Sequence, residues 1–104
     1  MKWRFVEPQD YKWAIAASKE HHKESDWSEV EYNDVKAKRY FDVAITDPNY
    51  FAILVEKGNK RIGFMAGRIM EYSYSYETFA KELELYVDPK HRNGMAGIFM
   101  MKKF

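Results

Sequence analysis

Apolar and polar side chains alternate in two segments of the chain, and two further segments between them are rich in β-forming residues, which together predict four strands. Residues 1–5 (MKWRF) form the first segment, and it ends before Pro8. The others are Tyr50 to Glu56, residues 61–72 (RIGFMAGRIMEY) and Phe79 to Val87. Residues 57–60 (KGNK) join the second and third strands as a hairpin turn. In the fourth strand, the pattern places Leu85 and Val87 on one face and Glu84 and Tyr86 on the other.

Two segments between these strands have apolar residues at helical steps of three and four. The first runs from Gln9 to Glu24 and is opened by Pro8. The second follows Ser28, which with Glu31 matches a capping box, and it stops at Asp47-Pro48. The order is strand, two helices, three antiparallel strands and a final helix. We therefore predict one α+β domain over residues 1–104, a mainly antiparallel sheet flanked by helices.

Composition and charge narrow the classes of protein. Lys and Arg total 17 against 16 Asp and Glu, a net charge of +1, so we expect no nucleic-acid partner. The chain has no cysteine, which excludes disulfides and thiolate metal sites. Since the two neighbouring histidines have no organised carboxylate partners, we expect no metal site. No long apolar run or signal segment is present, so we expect no membrane partner and a cytoplasmic location.

The segment Val87-Asp88-Pro89-Lys90-His91-Arg92-Asn93-Gly94-Met95-Ala96-Gly97 runs from the last strand into an apolar helix. Unpaired amides at a helix start attract anions, and glycines let a ligand approach the backbone. Arg92 adds positive charge. This pattern indicates a site for phosphate or pyrophosphate.

This segment and the order of elements resemble the GNAT superfamily of N-acetyltransferases. The family motif is V-x-P-x-x-[RQ]-x-x-G-x-[GA], and Val87, Pro89, Arg92 and Gly97 match it, whereas Met95 occupies the first glycine position. A register one residue earlier instead places His91, Gly94 and Ala96 on the three motif positions. The family fold continues with a fifth strand, a fourth helix and two more strands. The resemblance therefore predicts a GNAT-like (acyl-CoA N-acyltransferase) fold truncated after the helix that follows strand four.

The resemblance implies that acetyl-CoA is the co-substrate. In the family it lies where the fourth and fifth strands part. The backbone of Leu85, Tyr86 and Val87 would then bind pantetheine and the thioester carbonyl. Arg92 and the amides from Asn93 to Ile98 would bind the pyrophosphate; this second set is Arg92, Asn93, Gly94, Met95, Ala96, Gly97 and Ile98.

The same resemblance implies direct transfer of an acetyl group to a primary amine of a small molecule or protein. A base is useful because a free amine is mostly protonated at neutral pH. Glu84 first, and Glu82 second, are the candidate bases, since they are the carboxylates on the fourth strand beside the expected thioester. The alternative for both is the solvated face of a half-covered strand. No residue is assigned as the general acid.

Other features leave two interpretations open. His21 and His22 either lie on the surface at a fraying helix end or line an acceptor pocket, and we expect the surface. Tyr72, Tyr74 and Tyr76 either flank the β ladder or stack on a substrate. The function also has an alternative: a catalytically inactive GNAT-like fragment that binds a protein or forms a homo-oligomer through its incomplete sheet.

Overall fold

The computed structural model of the chain describes residues 1–92 and 94–102. These residues form the elements β1 (Lys2–Phe5), α1 (Tyr11–Glu24), α2 (Asp34–Thr46), β2 (Tyr50–Lys57), β3 (Lys60–Glu71), β4 (Thr78–Val87) and α3 (Ala96–Met101). Short 3-10 turns, Pro8–Asp10 and Pro89–His91, precede α1 and α3. The four strands make one antiparallel sheet in the order β1-β2-β3-β4. The predicted α+β architecture, an antiparallel sheet flanked by helices, is confirmed.

The helices cover both faces of the sheet. Ala14 of α1 and Phe41 of α2 pack on Leu54, Phe64 and neighbouring residues of one face. On the other face α3 contributes Ala96 and Met100, which pack against a cluster consisting of Ile53, Val55, Ile62 and Met65. Strand alternation sends successive side chains to opposite faces, and this places the two clusters on the two sides of one sheet.

The start of the second helix differs from the prediction. α2 begins at Asp34, and the Oδ1 atom of Asn33 accepts a hydrogen bond from the Lys36 amide at 2.9 Å. The predicted capping box at Ser28 is therefore wrong, and residues 25–33 form a loop. The Tyr32 hydroxyl donates to the Ile15 carbonyl at 3.1 Å, which ties this loop to α1 and leaves Asn33 as the cap.

Three glycines have clear structural reasons. Gly58 has a φ of +64°, so it supplies the left-handed conformation that the turn between β2 and β3 requires. A Cβ on Gly63 would lie 2.8 Å from the Tyr86 carbonyl oxygen, and one on Gly67 would lie 2.5 Å from the Lys81 carbonyl oxygen. Gly63 and Gly67 therefore allow a close backbone approach between β3 and β4, and the register of these strands shifts between Ala66 and Gly67.

The tyrosines of the β3–β4 connection are exposed. Tyr74 and Tyr76 lie in the loop between the strands, with relative exposures of 102% and 94%. The Tyr72 ring contacts the Phe79 ring at a centroid distance of 4.7 Å. None of the three lines a described cavity. Their position favours the interpretation that needs no ligand.

A buried carboxylate connects the start of the chain to the sheet. Asp10 has no exposed surface, and its two oxygens accept hydrogen bonds from Arg4 at 2.7 and 2.8 Å and from Arg61 at 2.8 Å. The Glu7 amide donates to it at 2.9 Å. Burial alone would raise the pKa of Asp10, but these donors outweigh burial and hold the pKa at about 2.

Candidate active site

Two cavities lie beside β4. The first, which we call the helix cavity, has a volume of about 340 Å³ and is lined by α1, the 25–33 loop, α2, Leu83 and Glu84. The second, the edge cavity, has a volume of about 460 Å³ and is lined by the end of α1, residues 85–87 and the segment that leads into α3. His21 lines both cavities. Consecutive residues of β4 thus divide between two neighbouring spaces.

Glu84 is the half-buried carboxylate of the helix cavity. Its pKa is raised to about 7, first by burial and then by the negative charge of Glu82, while His22 partly opposes the rise. None of the described residues donates a hydrogen bond to this carboxylate. A carboxylate with a pKa near neutral can accept a proton at physiological pH, as a general base must. The interpretation of Glu84 as a fully solvated surface group does not fit this burial.

Glu82 occupies a different environment. It is half-buried and pairs with Gly67 across the sheet, but it lines neither of the two cavities. The register shift next to it means that Leu83, not Glu82, lies beside Glu84 on the cavity wall. The charge of Glu82 acts on Glu84 and on His21.

The two histidines of α1 are not surface residues. Both are half-buried, both line the helix cavity, and α1 remains helical as far as Glu24. The His22 Nε2 atom makes a short hydrogen bond with the Val30 carbonyl oxygen. Burial lowers the pKa of His21, while the charges of Glu82 and Glu24 act in the opposite direction. The expectation of a frayed, exposed helix end is therefore wrong.

β4 is an edge strand of the sheet, and its ladder identifies which backbone groups face outward. The Asp88 amide donates to the Ile62 carbonyl at 2.8 Å. Hydrogen-bonded pairs alternate along an antiparallel ladder, so Tyr86 faces β3 while the backbone groups of Leu85 and Val87 point to the open side. Among the described residues, no strand pairs with that side. An extended ligand can therefore add to the edge at Leu85 and Val87.

Arg92 is held over the edge cavity by three contacts. Its Nε donates to the Val87 carbonyl at 2.8 Å, and its two terminal nitrogens donate to the two carboxylate oxygens of Glu24 at 2.7 Å each. The guanidinium also lies 5.5 Å from the centroid of the Tyr86 ring. Arg92 thus lines the edge cavity, and its charge is shared with a carboxylate at the end of α1.

The segment entering α3 leaves space at Gly97. A Cβ there would meet its nearest neighbour, a methyl group of Val87, at 4.0 Å, and Gly97 does not have a positive φ. Neither packing nor backbone conformation therefore requires glycine at this position. The first helical hydrogen bond runs from the Phe99 amide to the Met95 carbonyl at 2.8 Å, so the preceding amides have no acceptor within the helix. A Cβ would narrow the edge cavity beside those amides.

The remaining predicted residues of this segment differ in their positions. Gly94 and Ile98 line the edge cavity, Met95 is exposed, and Ala96 is buried against the sheet. Since α3 begins at Ala96, Gly94 and Met95 belong to the preceding turn. Asn93 lies outside the described residues.

The described residues contain no group of three or more His, Cys, Asp or Glu side chains arranged to hold a metal ion. No helix formed by residues 1–92 and 94–102 is long and apolar enough to cross a membrane.

Comparison with solved structures identifies the fold. An acetyltransferase from Vibrio fischeri has 20% identity and a TM-score of 0.76, with 99% of this chain and 82% of that chain covered. A GNAT family acetyltransferase from Staphylococcus aureus has 16% identity and a TM-score of 0.74, with 98% and 73% covered. The chain has the GNAT acetyltransferase fold. A predicted acetyltransferase with acetyl-CoA from Clostridium acetobutylicum is similar at 16% identity and a TM-score of 0.77, with 98% and 69% covered.

The similarity to known proteins is detected by comparison of structures and not by comparison of sequences. No family model and no curated protein sequence matches the chain. The GNAT-like fold predicted from the terminal motif and the element order is nevertheless confirmed, because the solved structures superpose over nearly the whole chain. The fold alone specifies no substrate, and the chemistry depends on the residues that line the two cavities.

Proposed function

We propose that this protein is an acetyl-CoA dependent N-acetyltransferase that binds acetyl-CoA in the edge cavity and a primary amine in the helix cavity. The observation that carries the proposal is the division of β4 between the two cavities. Glu84 faces the helix cavity, and the next residue, Leu85, begins the wall of the edge cavity. The thioester carbonyl of acetyl-CoA, placed at this boundary, would therefore lie next to both the edge cavity and the Glu84 carboxylate.

The edge cavity suits the two chemical parts of acetyl-CoA. Pantetheine is an extended amide chain, and the outward backbone groups of Leu85 and the outward amide of Val87 offer it strand-like hydrogen bonds, since Arg92 already donates to the Val87 carbonyl. Pyrophosphate needs cationic and amide donors, which Arg92 and the amides of residues 96–98 supply. The space beside Gly97 supports this assignment, because packing does not require glycine there. One similar structure, that from Clostridium acetobutylicum, contains acetyl-CoA.

The helix cavity suits the amine. In the proposed reaction Glu84 accepts a proton from the bound ammonium, and the amine nitrogen attacks the thioester carbonyl carbon. The new C–N bond gives a tetrahedral intermediate, whose collapse breaks the C–S bond and releases the sulfur as the CoA thiolate. The second proton that the nitrogen loses on becoming an amide passes through water to this thiolate, which gives the CoA thiol. Outward amides of β4 stabilise the negative charge on the carbonyl oxygen during the attack. A half-buried carboxylate with a pKa of about 7 fits the role of base.

Release of CoA thiol tests the proposal directly. The chain has no cysteine, so a thiol reagent reports CoA without background from the protein. We expect the wild-type protein, mixed with acetyl-CoA and a panel of primary amines, to release thiol with at least one amine. We expect Glu84→Gln to lower this rate by a factor of about 100 or more. Equal rates in the two proteins would remove Glu84 from the mechanism, and no release with any amine would contradict the activity.

A second candidate function is supported by the open edge of β4. Leu83 and Ile98 beside this edge are 40% and 54% exposed, and unpaired strand edges attract other strands. An inactive module that binds a partner, or a second copy of itself, would use this surface. Sedimentation velocity distinguishes the two functions. A dimer that binds no acetyl-CoA would favour the second, whereas binding by a monomer would count against it.

A further inference from the structure

Several polar groups that line the helix cavity are already hydrogen-bonded within the part of the chain that the structure describes, whereas the Glu84 carboxylate is not. The Tyr32 and Tyr40 hydroxyls already donate to main-chain carbonyl oxygens at 3.1 and 3.3 Å, and the Asn33 side chain caps α2. The Glu84 carboxylate, in contrast, accepts no hydrogen bond from the described residues. A ligand that fills this space must therefore bring its own donor to Glu84.

The rest of the cavity wall is largely aromatic. Trp27 stands at the rim with 71% of its surface exposed, Tyr32 and Tyr40 are half-buried, and Phe41 is buried. Aromatic faces attract cations and pack well against flat apolar groups. The cavity volume of about 340 Å³ is at the small end of ligand pockets, so it suits a compact molecule.

Charge decides how many positive groups the ligand carries. Glu31 and Lys36 are both exposed at the cavity mouth, and their opposite charges balance. His21 and His22 line the wall and add no negative charge, and His22 partly offsets the charge of Glu84. The lining therefore carries at most one unbalanced negative charge, on Glu84. A ligand with one ammonium group matches this better than a polyamine, which would bring two or more cations.

Resting on the proposed acetyltransferase function, we infer that the acceptor is a compact monoamine whose ammonium group binds Glu84 and whose apolar, aromatic body packs against Trp27 and the tyrosines. Such a ligand supplies the missing donor and covers the aromatic wall. It also presents its nitrogen at the boundary between the two cavities, where Leu85 begins the wall of the edge cavity.

Calorimetric titration without acetyl-CoA tests this inference separately from the transfer activity. The probes are phenethylamine, the neutral phenethyl alcohol, the anionic hydrocinnamate and the aliphatic diamine putrescine. We expect phenethylamine to bind about tenfold or more tightly than the alcohol, because a charged hydrogen bond to a carboxylate is worth this factor. We also expect it to bind more tightly than the diamine, which has no aromatic body to pack on the wall and brings a second cation. We expect no detectable binding of hydrocinnamate.

Variants separate the contribution of the Glu84 carboxylate to binding from that of the aromatic wall. Glu84→Gln should reduce phenethylamine affinity to that of the alcohol, and Trp27→Ala should weaken both ligands severalfold. The matched control is Glu29→Gln, which removes one exposed carboxylate of the 25–33 loop. Glu29 does not line the cavity, so this change should leave binding unchanged. Tighter binding of putrescine, or equal losses in Glu84→Gln and Glu29→Gln, would overturn the inference.

The outcomes separate this inference from the proposed function. Thiol release with putrescine but not with phenethylamine would keep the acetyltransferase activity and overturn the acceptor class. Binding of phenethylamine without thiol release from acetyl-CoA would support the cavity assignment and contradict the activity.

Discussion

The raised pKa of Glu84 predicts that Glu84→Gln gains stability over the wild type as pH rises, although the same substitution is expected to lower activity. In the folded protein the pKa of Glu84 is raised from 4.5 to about 7, first by burial and then by the charge of Glu82. Between these two pH values the folded state holds a proton that the unfolded chain has released. Stability of the wild-type protein should therefore fall as pH rises through this range.

The magnitude follows from the size of the shift. One pKa unit corresponds to about 1.4 kcal/mol, so a shift from 4.5 to about 7 corresponds to about 3 kcal/mol. Glutamine has nearly the same shape and cannot ionise. The advantage in unfolding free energy of Glu84→Gln over the wild type should thus grow by about 3 kcal/mol between pH 4.5 and pH 8.

Urea denaturation followed by tryptophan fluorescence measures this difference, since the chain contains three tryptophans. Glu29→Gln, which removes an exposed carboxylate, serves as the control and should show no such growth. A Glu84→Gln advantage that stays constant within about 0.5 kcal/mol across this pH range would refute the assigned burial of Glu84. It would also remove the physical basis for its role as a base.

Three further predictions concern packing, the buried carboxylate and the anion side of the site. Gly67→Ala should lower the unfolding free energy by about 2 kcal/mol or more in chemical denaturation, because its Cβ would lie 2.5 Å from a carbonyl oxygen of β4. Gly97→Ala, the control, should change the unfolding free energy by less than about 0.5 kcal/mol. Asp10, whose pKa is lowered to about 2, should stabilise the wild type above pH 4 by about 2 kcal/mol. The unfolding free energy measured in an acid titration should lose this contribution as pH falls to 2, and Asp10→Asn should lack it at every pH. Glu24→Gln should release Arg92 and tighten acetyl-CoA binding up to about fivefold in calorimetry, and weaker binding would contradict the competition between that carboxylate and the ligand.

The elements that were predicted correctly carry strong local signals. β2 and β3 are runs of β-forming residues, the last part of β4 alternates between apolar and polar residues, and Gly58 marks the turn between the first two. The candidate residues from Glu84 to Val87 follow one another on one strand, so their division between two faces could be read from the period of two. The terminal motif indicated the family fold because its residues are contiguous.

The features that were missed depend on contacts between distant parts of the chain. Arg61 and Asp10 are 51 positions apart, and Arg92 and Glu24 are 68 positions apart. No local pattern reports such pairs. The start of α2 failed for a similar reason: Ser28 and Asn33 are both good helix caps, and contacts of the 25–33 loop with α1 determine which of them is used.

The burial of the two histidines also required the tertiary structure. Their position at the end of α1 is typical of exposed side chains, yet the 25–33 loop and β4 cover this end of the helix. Loop placement is not a periodic property of the sequence. The role of His21 as a wall shared by both cavities therefore emerged only from the fold.

Calorimetric titration of acetyl-CoA is the most direct test of the central claim that the edge of β4 and the turn before α3 form its binding site. The account predicts one site with micromolar affinity in the wild type and much weaker binding in Gly97→Leu, whose side chain would enter the edge cavity. Both proteins should unfold at similar urea concentrations. Absence of binding by the folded wild-type protein, or equal binding by the two proteins, would contradict the claim.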